Sequence, residues 1–127
     1  EQVLFSFLTG NADMHLKNFS LYDRPGLGYV LSPAYDMVAS RLIVEGDEED
    51  LALTLNGKKK KLRKRDFLEA INRFDIDAKA IANMFDKFKK AEEQWHEYID
   101  ISFLPDDMKS SFHELIKERI SRIYNSD

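Results

Sequence analysis

The sequence predicts a predominantly helical α+β fold with one or two short β-hairpins. Three amphipathic segments with helical spacing of their apolar residues follow one another after residue 66. Two shorter stretches, residues 19–31 and 51–57, combine apolar residues with the turn chemistry that is typical of hairpins. With 43% hydrophobic and 12% aromatic residues, the 127-residue chain can bury one core, so we expect a single domain over residues 1–127.

The N-terminal part is expected to contain a buried helix followed by a loop and a hairpin. Residues 2–9 are apolar on most sides, and Gly10 is a plausible end because glycine tolerates the left-handed conformation that closes many helices. The residues at 23–26, Asp-Arg-Pro-Gly, favour a turn between two apolar strands in residues 19–31. We therefore expect the polar loop after Gly10 to lie between a buried helix and a hairpin.

Residues 51–57 predict a second strand and turn between two charged segments. Leucines alternate with other residues over 51–55, as in a half-buried strand, and Asn-Gly at 56–57 is typical of a hairpin turn. Residues 45–50 hold five acids in six positions, and residues 58–65 hold seven basic residues in eight. We expect both runs to be solvated and able to lie opposite each other, while contact of the basic run with DNA or RNA is an open alternative.

The helical part is expected over residues 66–124. Asp66 opens a first helix through a capping-box pattern, Asp77 caps a long second helix ending near Ile101, and Pro105 opens the last helix. Apolar residues keep helical spacing in the last two helices, and we expect them to face the core, with a partner surface as the alternative for the first of these stripes. They are Ile81, Met84, Phe85, Phe88, Ala91, Trp95 and Tyr98, followed by Met108, Phe112, Leu115, Ile116, Ile120 and Ile123.

Composition excludes several classes of protein and site. A net charge of −4 gives no general attraction to nucleic acid or membrane. The absence of cysteine excludes disulfides and a thiolate zinc site and fits a cytoplasmic protein. No apolar run approaches the roughly 20 residues that span a bilayer, and no signal peptide is visible. Because the chain opens on Glu1 and enters an apolar segment almost at once, we expect it to be part of a longer protein.

The stretch GNADMHLKNFSL, residues 10–21, carries the chemistry. Asp13 and Asn18 have the D-x-x-x-x-N spacing of the catalytic loop in protein-kinase-type phosphoryl transfer. In such a loop the aspartate orients the attacking hydroxyl, and the amide oxygen of the asparagine reaches Mg²⁺. Asp36, at the end of residues 32–36, is the candidate for the second metal-binding group. It is followed by Met-Val and not Phe-Gly, so this is not an ordinary protein kinase.

Two further side chains in the loop could stabilise charge on a transferred phosphoryl group. His15 and Lys17 are both candidates, and spacing does not decide between them. A structural alternative is that Asp13 and its neighbours are turn and cap residues, since aspartate and asparagine favour loops. A second alternative is a metallophosphoesterase site beginning at Asp13 and His15, for which only His96 and His113 remain as further histidine ligands.

Taken together, GNADMHLKNFSL and LSPAYDMVAS resemble the HipA-like serine/threonine kinase toxins of bacterial toxin–antitoxin systems. The shared patterns are G-N-x-D-x-H-x-K-N-[FY]-S and P-x-Y-D at the matching distance, and LALTLNGKKKK resembles the strand-turn that follows. The resemblance covers roughly residues 1–75 and implies the C-lobe of a HipA-like kinase fold, with its catalytic loop at residues 10–18.

The resemblance implies a role for each candidate residue and a set of ligands and partners. The implied roles are catalytic base for Asp13, Mg²⁺ binding for Asn18 and Asp36, the phosphate end of the ATP site for His15 and Lys17, and support of the loop for Asn11. It further implies transfer of the ATP γ-phosphate to a serine of a target protein, which is an aminoacyl-tRNA synthetase in known members. A helix-turn-helix antitoxin would restrain the kinase, and DNA would be contacted only through that antitoxin.

One departure from the family pattern limits this expectation. The five glycines form no phosphate-binding loop of the G-x-G-x-x-G or G-x-x-x-x-G-K type. We therefore expect this chain to be a C-lobe portion that lacks the ATP-covering lobe and cannot turn over ATP alone. The alternative function is a non-catalytic binding module of the same fold, which would interact with an antitoxin or a separate lobe protein.

Overall fold

The computed structural model describes residues 1–46 and 48–125, in which four α-helices accompany one two-stranded antiparallel hairpin. The elements in chain order are α1 (Gln2–Thr9), β1 (Leu21–Arg24), β2 (Gly28–Leu31), α2 (Lys64–Ile71), α3 (Ala78–Asp100) and α4 (Asp106–Tyr124). The predominantly helical α+β fold class is confirmed. Within the described ranges, no helix is both long enough and apolar enough to cross a bilayer.

The hydrophobic core lies where α1 meets the three later helices. The ring of Phe7 in α1 packs edge-on against Phe67 of α2, with 5.2 Å between the centroids. Phe5 makes a similar contact with Trp95 of α3 at 5.6 Å. The other buried core residues come from α1, from the segment between the hairpin and α2, and from α3 and α4: Leu4, Leu8, Leu51, Leu62, Phe85, Phe88, Ile99, Ile116, Ile120 and Ile123. Tyr98, which was expected to face the core from α3, is instead 66% exposed. Burial over most of its circumference, with Val3 exposed, explains why α1 is largely apolar.

Gly10 ends α1, as the sequence predicts. Its φ of 75° is left-handed, a conformation that residues with a Cβ rarely adopt. A Cβ at this position would also collide with the side chain of Leu115 in α4. The left-handed backbone is therefore the main reason for glycine here, because the end of the Leu115 side chain could move aside for a Cβ.

The predicted hairpin forms, with its turn displaced slightly along the chain. The strand register pairs Leu21 with Leu31 and Arg24 with Gly28, so the connection consists of residues 25–27. The N–H of Leu27 donates to the carbonyl oxygen of Arg24 at 2.9 Å, which closes the turn. Both strands are largely exposed and extend away from the helical core.

The predicted strand over residues 51–55 is wrong. Leu51 and Ala52 are both buried, so the expected alternation between an inner and an outer face is absent. Among the described residues the segment finds no partner strand, and only Leu55 and Lys58 form an isolated antiparallel bridge. The turn between them is as predicted, because Asn56 and Gly57 have φ values of 50° and 75°, the left-handed pair that a tight hairpin turn requires.

The starts of α2 and α3 depend on two aspartates. Helix α2 begins at Lys64, earlier than predicted, so Asp66 lies inside the first turn, where its Oδ2 accepts the N–H of Arg63 at 2.9 Å. Asp77 caps α3 as predicted, since its Oδ1 accepts two N–H groups of the first turn at 2.8 and 3.2 Å. Helix α2 ends at Ile71, and α3 ends at Asp100, close to the predicted end near Ile101.

The acidic and basic runs lie opposite each other, as the sequence analysis allowed. Lys59 pairs with Glu49 at 3.3 Å, and Lys60 pairs with Glu48 at the same distance. Behind these exposed pairs, the N–H of Asp50 donates to the carbonyl oxygen of Lys59 at 2.7 Å. Part of the basic run is therefore neutralised within the chain.

Two histidines from different helices contact each other, a pairing that the sequence did not predict. The Nδ1 atoms of His96 in α3 and His113 in α4 are 2.6 Å apart, and Nε2 of His113 is 2.9 Å from Oδ1 of Asp100. One of the facing Nδ1 atoms must donate and the other must accept, so this contact requires that the two rings are not both protonated.

We expect the stability of the fold to decrease when the pH falls below about 6.5. Burial lowers the pKa of His96 below its usual value, and the charges of His113 and Lys117 lower it further, against opposing effects of Glu92 and Asp100. Histidine titrates near pH 6.5 in the unfolded chain. Between that pH and the lower pKa of His96 in the folded chain, the unfolded chain binds more protons, so a decrease in pH favours unfolding. Urea midpoints at pH 7.5 and 5.5 measure this, and His96→Asn should flatten the dependence. An equal pH dependence in wild type and variant would contradict it.

Candidate active site

The loop at residues 10–18 is anchored to the end of α1 through Asn11. Asn11 is buried, and its N–H donates to the carbonyl oxygen of Ser6 at 2.8 Å. Its side-chain oxygen accepts the N–H of Asp13 at 3.3 Å, while Nδ2 points toward the sulfur atoms of Met14 and Met37. The side chain therefore holds the loop from inside, the supporting position that the family resemblance implies for it.

Asp13 and Asn18 are joined by a hydrogen bond across the loop. The Nδ2 of Asn18 donates to the backbone carbonyl oxygen of Asp13 at 2.9 Å, and a short 3-10 turn over Leu16–Asn18 brings the two residues together. Asn18 is only 6% exposed, whereas the side chain of Asp13 is 62% exposed. No described group donates a hydrogen bond to Oδ1 of Asn18. The loop thus presents a carboxylate to solvent and leaves an amide oxygen available as a ligand.

The segment that carries Asp36 lies alongside this loop. Tyr35 donates its hydroxyl to the carbonyl oxygen of Lys17 at 3.1 Å, and the sulfur of Met37 lies 3.6 Å from Nδ2 of Asn11. Farther along, the N–H of Arg41 donates to the carbonyl oxygen of Gly10 at 3.1 Å. Asp36 therefore lies between two residues that each contact the loop, although no hydrogen bond or ion pair between described residues joins its own carboxylate to the loop.

Asp36 has an unusual backbone conformation. Its φ is 53°, in the left-handed region that few residues other than glycine occupy. Conformations of this kind cost on the order of 1–3 kcal/mol and tend to occur at functional sites. The neighbouring residues Tyr35 and Met37 contact the loop at Lys17 and Asn11. The backbone at Asp36 is thus held on both sides by contacts with the loop.

His15 and Lys17 differ in their relation to Asp13. The Nε2 of His15 is 3.4 Å from Oδ1 of Asp13, and both side chains are at least half exposed. Lys17 belongs to the 3-10 turn, is exposed, and has no ion-pair partner in the described part of the chain. The structure thus places His15 beside the carboxylate, whereas the ammonium group of Lys17 has no partner of opposite charge among the described residues.

The candidate ligand atoms of the site suit Mg²⁺ better than a metal ion that takes all of its ligands from the protein. In residues 1–46 and 48–125, no three acidic or histidine side chains come close enough together to hold a metal ion. Mg²⁺ needs fewer protein ligands, because it usually keeps several waters and binds one or two carboxylates together with substrate phosphates. The Asn18 amide oxygen and the Asp36 carboxylate are hard oxygen donors of the suitable kind.

The structure also removes the metallophosphoesterase alternative and adds residues that the sequence did not single out. His96 and His113 contact each other in α3 and α4 and are not part of the loop. Ser40, in contrast, belongs to the site, because its hydroxyl accepts the N–H of Ala12 at 2.9 Å. Its only sequence signal was its position within LSPAYDMVAS, since a serine gives no indication of a distant backbone partner.

Comparisons with known proteins identify a family and two relatives that this chain resembles. A family model for the HipA-like C-terminal domain matches residues 1–95. A Sinorhizobium fredii protein named "Putative kinase Y4dM" is 44% identical over 59 residues, which are 46% of this chain and 14% of that protein. The solved complex of HipA, HipB and operator DNA from the Shewanella oneidensis MR-1 toxin–antitoxin system contains a chain with a TM-score of 0.79 and 21% identity. That match covers 98% of this chain and 30% of the other, so this chain spans a minor part of both relatives.

Proposed function

Because this chain belongs to the HipA-like C-terminal domain family, we propose that it supplies the catalytic loop and the metal ligands of a serine/threonine protein kinase. In this proposal Asp13 is the catalytic base that orients the serine hydroxyl of a target protein and accepts its proton. Asn18 and Asp36 bind Mg²⁺, and the transferred group is the γ-phosphate of ATP.

The observation that carries the proposal is the alignment of two segments that are distant in sequence. Residues 35–41 contact the loop at Lys17, Asn11 and Gly10, with Asp36 held between the contacts of its two neighbours. A phosphoryl-transfer site needs such a pair of segments, because the base and the metal ligands must meet one nucleotide from fixed positions.

Each remaining polar residue has a role consistent with its surroundings. When bound, Mg²⁺ would neutralise charge on the β- and γ-phosphates. His15 would stabilise the charge that develops on the transferred group from its position beside Asp13, and the exposed ammonium group of Lys17 would add to this. Asn11 would keep the loop in its working conformation through its hydrogen bond to the N–H of Asp13.

We further propose that residues 1–127 form a single domain, the C-lobe portion of the kinase. Residues 10–18 would be its catalytic loop, residues 32–36 its metal-binding segment, and residues 66–124 its helical part. The chain contains no glycine-rich phosphate loop, so the 127-residue chain by itself should not turn over ATP. The lobe that covers ATP would belong to the part of the relatives that this chain does not span.

The partners in this proposal follow from the family. The structural relative is a HipA chain in complex with HipB and operator DNA. By analogy, the protein would be a cytoplasmic toxin restrained by a helix-turn-helix antitoxin and would contact DNA only through it. Its substrate would be a serine of a target protein, with an aminoacyl-tRNA synthetase as the first candidate.

The test is the variant Asp36→Asn in the protein that carries this chain together with its ATP-binding lobe. We expect transfer of labelled γ-phosphate to decrease by about 10²-fold or more, the size seen when one preorganised charge-stabilising group is removed. The Mg²⁺ concentration that gives half-maximal activity should increase as well. Asp23→Asn is the matched control, because Asp23 is an exposed aspartate of β1 outside the loop.

Two outcomes would overturn the proposal. Near wild-type transfer by Asp36→Asn would remove Asp36 from the metal site. A complete protein that folds and binds its partner but never transfers phosphate, with or without the substitution, would favour the non-catalytic binding module.

A further inference from the structure

A cavity with charged walls lies between residues 56–63 and the first turns of α2. Its volume is about 640 Å³, within the roughly 300–1,000 Å³ that sites for small molecules usually occupy. Every residue that lines it is charged or polar, and two of them are carboxylates. Five are basic: Lys58, Lys61, Arg63, Lys64 and Arg65. We call it the basic cavity.

The two carboxylates of the basic cavity already have basic partners. Oδ1 of Asp66 accepts a hydrogen bond from Nζ of Lys58 at 2.6 Å, and Oδ2 accepts the backbone N–H of Arg63 at 2.9 Å. Oε1 of Glu69 accepts a hydrogen bond from Nε of Arg65 at 2.5 Å. Lys58 and Arg65 are therefore neutralised by groups of the cavity itself.

The other three cations of the basic cavity have no carboxylate partner among residues 1–46 and 48–125. Lys61 and Arg63 are exposed, and the ammonium group of Lys64 lies 5.6 Å from the ring centroid of Phe85. The basic cavity therefore keeps an excess of three positive charges. A compact anion that carries several negative charges would balance this excess.

The backbone that carries Lys61 and Arg63 is held in place. Leu62 between them is fully buried, its N–H donates to Oδ2 of Asp50 at 2.8 Å, and its carbonyl oxygen accepts Nε of Arg122 at 3.0 Å. Lys61 itself has a φ of 54°, a left-handed conformation that few residues other than glycine adopt. Because this backbone is already ordered, binding of a ligand costs less entropy.

We propose that the basic cavity binds a compact ligand that carries two or more adjacent phosphate groups, such as the polyphosphate part of a nucleotide. The guanidinium group of Arg63 suits bidentate contact with phosphate oxygens, and the ammonium groups of Lys61 and Lys64 would balance the remaining charge. The proposal is independent of the kinase function, because none of the residues assigned to phosphoryl transfer lines the basic cavity.

The surroundings favour a compact polyphosphate over a nucleic acid. The lining side chains are charged groups and one amide, so they offer no aromatic face on which a base could stack. Lys59 and Lys60 precede the lining residue Lys61 in the chain. Their partners are Glu49 and Glu48, each at 3.3 Å. The phosphates of a strand that extended beyond the cavity on this side would meet these two carboxylates.

The test is calorimetric titration of the protein that contains this chain with inorganic tripolyphosphate. We expect binding that becomes weaker as the salt concentration increases. Lys61→Gln combined with Arg63→Gln should weaken it about tenfold or more, because two charge-assisted contacts are lost. Both side chains are exposed, so the double variant should keep the urea midpoint of the wild type. Lys79→Gln, at an exposed lysine of α3 outside the cavity, is the matched control and should bind like wild type.

A second control separates the basic cavity from the candidate active site, which could also bind phosphate groups. Binding that is lost in Lys17→Gln but kept in the double variant would place the ligand at the active site and overturn the proposal. No binding by wild type, or equal binding by wild type and the double variant, would overturn it as well. Duplex DNA that binds more tightly than tripolyphosphate, and that the double variant no longer binds, would overturn it in favour of a nucleic-acid surface.

Discussion

Asp13→Asn is expected to slow phosphoryl transfer by about 10²–10⁴-fold, the usual contribution of a positioned general base. Asparagine keeps the size of the side chain but cannot accept the proton of the serine hydroxyl. The fold should be unaffected, because the side chain of Asp13 is 62% exposed and the loop depends on its backbone carbonyl, which remains available to Asn18.

The measurement is transfer of labelled γ-phosphate by the protein that contains this chain and its ATP-binding lobe. Affinity for ATP should change little, because the substitution removes the base and not the metal ligands. Asp23→Asn provides the control for loss of an exposed carboxylate. A variant with nearly full activity would show that Asp13 is not the base, whatever the other loop residues do.

Asp50→Asn is expected to lower the free energy of unfolding by about 3–5 kcal/mol, as when one partner of a buried ion pair is removed. Asp50 and Arg119 are each 3% exposed, and their side chains pair directly. Arg122 Nη2 donates to the other carboxylate oxygen at 2.5 Å, and the N–H of Leu62 donates to the same oxygen at 2.8 Å. The variant would leave two guanidinium groups, one of them buried, with the half-exposed carboxylate of Glu118 as their remaining negative partner.

The same cluster predicts the behaviour in acid. Burial alone would raise the pKa of Asp50, but the hydrogen bonds from Arg122 and the N–H of Leu62, with the charge of Arg119, hold the pKa below its usual value. Asp50 therefore contributes its full stabilisation above about pH 3.9, the pKa of an aspartate carboxyl in the unfolded chain. This contribution is lost as the pH falls through the lower pKa of Asp50 in the folded protein.

Urea denaturation measures the effect of Asp50→Asn. Asp75→Asn is the control, since Asp75 is exposed outside the helices. A loss smaller than about 1 kcal/mol, the size typical of exposed ion pairs, would contradict the prediction. The wild-type protein should lose this contribution in acid, and the variant should lack that part of the pH dependence.

The helices could be predicted because local signals determine them. Asp77 caps α3 with its own side chain, and Gly10 ends α1 with its own backbone, so both are visible in the sequence. The prediction of a strand over residues 51–55 was wrong because a strand depends on a distant partner and not on local signals. Alternating leucines indicate a strand only if another strand is available to pair with, and the buried Leu51 and Ala52 instead join the helical core.

The candidate site was predictable in its residues but not in its contacts. Asp13, Asn18 and Asp36 were found from spacing, and their roles remain predictions. Two features of the site depend on how distant segments pack. They are the hydrogen bond from the N–H of Ala12 to the hydroxyl of Ser40 and the left-handed backbone of Asp36. The pairing of His96 with His113 and of Asp50 with Arg119 escaped prediction likewise, because each joins residues from different elements.

The family match stops at residue 95, inside α3. Yet α4 supplies Arg119 and Arg122 to Asp50, and its Leu115 lies directly against Gly10. A truncation designed from sequence similarity would therefore remove the support of the loop that the similarity identifies. Any shortened version intended for expression or crystallisation should retain the polypeptide through Tyr124.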